Sequence, residues 1–329
     1  MFNLNTPESR FAFTAVRQAS LLISQVHAEV VTAMTPDDRM PVTVADFASL
    51  ALVGALLTKL LPNDVLAAED DVETLRAVAT DEILAQITAF VARFQPDTTL
   101  KKVLEWVTLG AGAPSKRYWV LDPIDGTKGY LRGGQYAVAL ALIMDGQVQL
   151  GALGLPALCD GYRPDPYGTG SLILAARHQG AWVTSLSSPG EFERLQVSNR
   201  SNPALARIFR SFESSHTDLA KLEAIVEAME VEPEPVGMDS QAKYAIVAAG
   251  KGEFVLRLPP AGNPGYREKI WDVAAGALIV KEAGGKVTDL QGKPLDFSTG
   301  REMCNNVGVL ASNGVLHAAM LETLRSVGV

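Results

Sequence analysis

Apolar residues recur at three- and four-residue intervals through the first hundred positions, and the chain then changes to short continuous or alternating apolar runs. Thr6 followed by Pro7 and Glu8 marks a helix start, with Val16, Ala19, Ile23, Val26 and Val30 on one face beyond it. A second helix is expected from about Asp46 through Leu50, Val53, Leu57 and Leu60, ending before Pro62. A third follows Thr80, with Ile83, Ile87 and Phe90 inward. From residue 117 the segments RYWVLD, YAVALALIM and QVQLGALGL read as strands. Asp145-Gly146, between the last two, is a strong hairpin signal. The Pro- and Gly-rich stretch PALCDGYRPDPYGTG (156–170) is the expected junction. Beyond it SLILAAR, RIFRSFE, EFVLRL, KVTDL and VGVLAS alternate with helical patterns at 217–229, 240–249, 271–283 and 313–326. This order implies an α/β protein built in layers, with subdomains over 1–156 and 157–329.

Composition narrows the function classes. The 329 residues are 47% hydrophobic and 20% charged, with a net charge of −8. That balance gives no basic footprint for a nucleic acid polymer or an anionic membrane, while leaving room for local basic clusters that bind small phosphorylated molecules. Cys159 and Cys304 form no C-x-x-C and no framework of bridges, so two free thiols are expected. The opening residues lack a basic segment leading into an apolar core, and no uninterrupted apolar run approaches the ~18 residues of a bilayer span. The expected location is cytoplasmic.

Candidate chemistry centres on WVLDPIDGTKGY, where an apolar strand runs into Asp122-Pro123-Ile124-Asp125-Gly126-Thr127. A surface turn accounts for Asp, Pro and Gly. Alternatively, two carboxylates three residues apart, stiffened by Pro and followed by a hydroxyl, point to one spot that attracts a hard cation. Glu69 in LAAEDD and Asp272 in EKIWDVAAGALIVKEAGG are further acids of interest. Taken singly, Asp272 reads as a helix N-cap, and Glu69 with Asp70 and Asp71 as a solvated acidic turn.

Taken together, WVLDPIDGTKGY, the upstream VTVADFAS and AAED, and the downstream WDVAAGALIVKEAGG resemble the lithium-sensitive, magnesium-dependent phosphatases typified by inositol monophosphatase. SFESSH, MDSQAKYAIV, GYREKIWD and GKPLDFSTG are more specifically similar to the 3'(2'),5'-bisphosphate nucleotidases, which remove the 3'-phosphate of 3'-phosphoadenosine 5'-phosphate. The resemblance covers nearly the whole chain, in the family's order. It implies alternating α-β-α-β-α layers of the sugar-phosphatase type and a site holding two or three Mg²⁺ ions. The implied ligands are Glu69, Asp122, Asp125, Asp272 and the carbonyl of Ile124, with Asp46 and Thr127 positioning or deprotonating the attacking water. Gly126, Thr127, His216, Ser240, Lys243, Arg257, Tyr266, Arg267 and Asp272 are the implied contacts to a small bisphosphorylated nucleotide. Lys243, Arg257 or Arg267 would receive its second phosphate, and Tyr266 its sugar or base. Asp70 stands where relatives usually carry a second Glu.

The chemistry agrees with this inventory. Mg²⁺ takes oxygen donors, whereas Zn²⁺ prefers His and Cys, and none of the four His lies in a zinc-like spacing. Two other readings stay open: an inositol phosphate or sugar phosphatase, and a catalytically silent nucleotide sensor. A monomer is expected.

Overall fold

The computed structural model describes residues 2–30, 40–213 and 217–329. Helix α1 (Pro7–Glu29) starts where the sequence places it, with the Thr6 side chain accepting from the Ser9 amide at 3.1 Å and Pro7 in the first turn. Helix α2 (Met40–Leu60) begins earlier than expected and is not a one-sided surface helix. Val44, Ala45, Phe47, Ala48, Leu50, Ala51, Leu52 and Val53 are all buried, while Leu60, expected inward, is 41% exposed. By length and composition Thr43–Leu60 is apolar enough to cross a membrane, with mean hydropathy 1.5; here 72% of it is buried, against α1 and the elements that follow.

Next come β1 (Val65–Ala68), α3 (Val72–Val78), α4 (Asp81–Ala92), α5 (Leu100–Thr108), β2 (Arg117–Asp125) and α6 (Thr127–Arg132). Strands β3 (Ala137–Met144) and β4 (Gln147–Leu155) form the expected hairpin, with Asp145 and Gly146 both at positive φ. Short β5 (Leu158–Cys159) and β6 (Arg163–Pro164) pair with each other. Then follow β7 (Ser171–Ala176), β8 (Ala181–Ser185) and β9 (Glu193–Arg194). The remainder is β10 (Ile208–Ser211), α7 (Leu219–Ala228), β11 (Val236–Met238), α8 (Ala242–Ala248), β12 (Phe254–Arg257), α9 (Ala274–Glu282), β13 (Lys286–Thr288), β14 (Val309–Ser312) and α10 (His317–Ser326).

Among the described residues, a seven-stranded sheet runs β1-β2-β3-β4-β7-β8-β9 and a five-stranded sheet runs β11-β10-β12-β14-β13. Strand β2 shows why the layers alternate. Trp119 and Leu121 enter one core with α1, α2, α4 and α5, while Tyr118 and Val120 enter a second with α8 and α9. Helix α9 also packs on β13 and β14, so α8 and α9 lie between the two sheets. The outer face of the second sheet is closed by Leu222 and Ile225 of α7 and Met320 and Leu324 of α10. The five layers are those the resemblance implies. The junction is displaced: residues 156–170 lie between β4 and β7, which pair with each other, so the change of sheet comes between Arg194 and Ile208 rather than at 156. Cys159 is buried and Cys304 exposed, and both are free.

Candidate active site

Strands β1 and β2 are parallel, with Ala68 opposite Leu121, so their carboxyl ends finish side by side. Glu69 follows directly, its amide donating to the Leu121 carbonyl at 3.1 Å, and Asp122 is next on the other strand. Simple alternation would send Asp122 and Asp125 to opposite faces. The ladder to β3 avoids this by an irregularity: Asp122 pairs with Ala139 and Asp125 with Ala137, three steps on β2 against two on β3. Pro123 sits inside it, where a missing N–H costs least. Its carbonyl accepts from Ser49 Oγ of α2 at 3.2 Å, tying the bulge to the helix that carries Asp46.

The chain then turns at Gly126 (φ 88°) into α6, whose Gly129 meets the 238–241 loop so closely that a Cβ would collide with the Gln135 carbonyl and lie 2.8 Å from Asp239 Oδ2. On that loop the Gln241 amide donates to Asp125 Oδ2 at 2.5 Å. Its side chain donates to the Trp271 carbonyl at 2.9 Å and accepts from the Gly276 amide at 2.9 Å. One buried glutamine thereby holds Asp125, α8 and the approach to α9 together. Helices α8 and α9 begin later than their sequence patterns because Ser240 (φ 62°) and the turn at 270–273 keep the preceding residues out of the helix. Asp272 is thus not an N-cap: its Oδ2 accepts from Arg257 Nη2 at 3.1 Å. The acidic turn at 69–71 divides its roles, since Asp71 caps α3 through a capping box while Glu69 faces the cleft.

The resulting cleft holds about 360 Å³ and is lined by Glu69, Asp122, Ile124, Asp125, Gly126, Thr127, Ser240, Lys243, Arg257, Tyr266 and Asp272, eleven of the residues the sequence nominated. Three others fare differently. Asp46 is half-buried behind this lining, near Glu69, Asp70 and Asp122. The Thr127 hydroxyl donates to the Ile124 carbonyl at 3.2 Å rather than to Asp46, and one hydroxyl has one proton to give. Arg267 is a correction: its guanidinium folds back on the Gly265 and Tyr266 carbonyls, at 3.2 and 2.9 Å, and does not line the cleft. His216 lies outside the described residues.

Two cations expected to meet a second phosphate are already engaged. Lys243, 2% exposed, donates from Nζ to the carbonyls of Met238 (2.9 Å) and Ser240 (2.6 Å), clamping the strained Ser240 turn. Burial lowers its pKa to about 8, against the pull of Asp125. Arg257 Nη2 lies 2.5 Å from Glu268 Oε2 as well as 3.1 Å from Asp272. Sequence reading missed Glu268, Gln241 and Arg301. Arg301 donates to the Ala68 carbonyl and stacks over Trp271, bracing both sides of the acidic floor. It also missed the rim, where Lys128 and Arg132 share Glu213 at 3.0 and 2.8 Å, Arg132 reaches Asp239 at 2.6 Å, and Phe212, 52% exposed, packs on the Arg132 guanidinium.

Burial first, and then mutual repulsion, raises the pKa values of these acids. Asp46 and Asp122 are held well above the ordinary range, Glu69 is pushed to about 7 and Asp272 to about 8. Asp122 Oδ1 is buried with no hydrogen-bond partner among the described residues. The lining offers oxygen donors and neither His nor Cys, which fits a hard divalent cation such as Mg²⁺. Among the described residues, no three His, Cys, Asp or Glu side chains close into a coordination shell.

Comparison with known proteins agrees with this geometry. A model of the inositol monophosphatase family matches residues 5–328. A 3'(2'),5'-bisphosphate nucleotidase of Oryza sativa is 40% identical over 94% of this chain and 91% of its own. One from Schizosaccharomyces pombe is 36% identical over 97% and 95%. Among solved structures, an inositol monophosphatase of Thermotoga maritima aligns over 98% of both chains, with a TM-score of 0.63 and 20% identity. CysQ of Bacteroides thetaiotaomicron, a bacterial member of the same family, aligns over 95% of this chain and 99% of its own, with a TM-score of 0.59 and 18% identity.

Proposed function

The chain belongs to the inositol monophosphatase family, and from that premise we propose that it is a magnesium-dependent 3'(2'),5'-bisphosphate nucleotidase, converting 3'-phosphoadenosine 5'-phosphate and water to AMP and phosphate. The observation that carries the reading is the joining of two unlike halves in one cleft. Its acidic floor suits cations, while Lys128 and Phe212 at the rim, with Ser240 and Tyr266 in the wall, suit a nucleotide. Bound magnesium supplies charge neutralisation at the phosphoryl group and a more acidic water. Glu69, Asp122, Asp125, Asp272 and the Ile124 carbonyl would hold it.

The chain's own groups do the rest by positioning. Thr127, at the start of α6 and anchored to the Ile124 carbonyl, presents its hydroxyl oxygen to the cleft as an acceptor for a water proton. Asp46, near Glu69, Asp70 and Asp122, has its ionisation opposed by burial and by their charge, which a bound cation would relieve. Phosphoryl transfer needs little else beyond placement and charge complementarity. The deciding experiment measures phosphate release from a panel of bisphosphorylated nucleotides and inositol phosphates, with Mg²⁺, with chelator and with lithium. Full turnover in chelator, or preference for an inositol monophosphate, would reject the assignment.

Phe212 is the exposed flat surface at the cleft mouth, held from behind by a guanidinium that two carboxylates fix. Stacking a base there contributes ~1–3 kcal/mol. Phe212→Ala is therefore expected to raise KM for the bisphosphorylated nucleotide about tenfold with kcat little changed, leaving inositol phosphate kinetics as they were. Parallel kinetics on the two substrates check this.

The raised pKa values fix the sign of a pH effect on stability. A carboxyl with an elevated folded-state pKa keeps a proton that the unfolded chain has released, so folding stability falls as pH rises toward the folded value. With Glu69 at about 7 and Asp272 at about 8, the melting temperature in excess chelator is expected to fall from pH 6.5 to 8. Below that window His317, held at about 4 by burial, acts with the opposite sign. Saturating Mg²⁺ should flatten the decline, and a melting temperature that rises across the window in chelator would contradict the electrostatic picture.

A further inference from the structure

A second cleft, again about 360 Å³, lies between the β3–β4 turn, the β7–β8 turn, the C-terminal half of α9 and residues 294–297. Its lining shares no residue with the acidic cleft. Val148, Leu278, Leu295 and Phe297 give it an apolar floor, and Arg177 and Lys281 stand in its wall. Two cations beside a buried apolar surface normally find a carboxylate, and Glu282 is next in sequence to Lys281. Glu282 also lines the cleft, but both its oxygens are occupied: Oε1 accepts from the His178 amide and Oε2 from the Gly180 amide, each at 2.8 Å. Those bonds fasten the β7–β8 turn, with His178 at φ 64°, onto the end of α9. Among the described residues no carboxylate pairs with Arg177 or Lys281. Lys281 is an exposed residue, yet the partial desolvation of its ammonium and then the charge of Arg177 hold it below its ordinary pKa.

We infer that this cleft is a binding site for a small organic anion, one carboxylate, sulfonate or phosphate head on an aromatic or aliphatic body, with Arg177 and Lys281 on the head and the apolar floor on the body. Glu282 acts by holding the turn that carries Arg177, so the acid that would otherwise neutralise the site organises it. The inference does not depend on the activity proposed above, because no residue of the acidic cleft takes part.

The test is fluorescence titration of the full chain with 8-anilinonaphthalene-1-sulfonate, an anion with an apolar body. Excess chelator is present so that no metal ion in the acidic cleft attracts the dye's sulfonate. Saturable binding at one site per chain is expected, weakened at least tenfold in both Arg177→Gln and Lys281→Gln, since a charge-assisted contact is lost in each. Both variants should keep the parent's melting temperature and phosphate release, separating lost binding from lost folding. Absence of saturable binding, or weakening of less than tenfold in either folded variant, would overturn the assignment and leave the cleft a surface groove.

Discussion

Replacing Asp122 with Asn is expected to lower kcat/KM by about 10²–10³-fold while leaving the protein, in excess chelator, at least as stable as the parent. Asp122 is 2% exposed, its Oδ1 has no partner among the described residues, and Glu69, Asp125, Asp272 and Asp46 all push its pKa upward. A group so placed weakens the fold when ionised, and the nearly isosteric neutral amide removes that repulsion. The cost falls on function, because a preorganised charge at a phosphoryl-transfer centre is worth roughly two to three orders of magnitude in rate. Melting curves in a magnesium titration separate the two effects. The parent should gain stability as Mg²⁺ is added and the variant should gain much less. A variant destabilised in chelator would make Asp122 a structural residue, and one with near-parent activity would remove it from the site.

The periodic parts of the chain were the legible ones. Thr6, Asp145-Gly146 and the β-runs from residue 117 announce local structure through caps, turns and alternation, and the structure has each of them. Where tertiary contacts set the backbone, the sequence either showed an outcome without its route, as in the expected convergence of Asp122 and Asp125, or missed it. Strand β2 carries Asp122 and Asp125 to one cleft only through a bulge, and α8 and α9 start late because Ser240 and Asp272 are held out of helical geometry. Residues 156–170 look like a linker by composition, yet β4 and β7 on either side are hydrogen-bonded neighbours, a pairing that local sequence does not encode. The acids were legible because they sit in motifs. Their supports, Gln241, Glu268 and Arg301, are single polar residues whose partners lie from 11 to 233 positions away, and no spacing rule marks them.

Arg257 shows how such a support changes an expectation. From the sequence it is a candidate for the second phosphate, so Arg257→Ala would penalise bisphosphates and spare monophosphates. In the fold its guanidinium, only 14% exposed in the side chain, lies between Glu268, itself 5% exposed, and Asp272. Deleting it strands two buried acids, a loss that typically costs ~3–5 kcal/mol. Arg257→Ala is therefore expected to lower the melting temperature strongly and to reduce kcat/KM on every phosphorylated substrate by a similar factor. Adding Glu268→Gln to that variant should recover part of the stability, because one of the stranded charges is gone, whereas a residue reserved for the second phosphate would show no such coupling. Chemical denaturation of the two single variants and the double variant, alongside kinetics on adenosine 3'-monophosphate and the bisphosphate, gives both readouts. A stable Arg257→Ala protein with a defect confined to the bisphosphate would restore the recognition role and show that Glu268 and Asp272 need no cation between them.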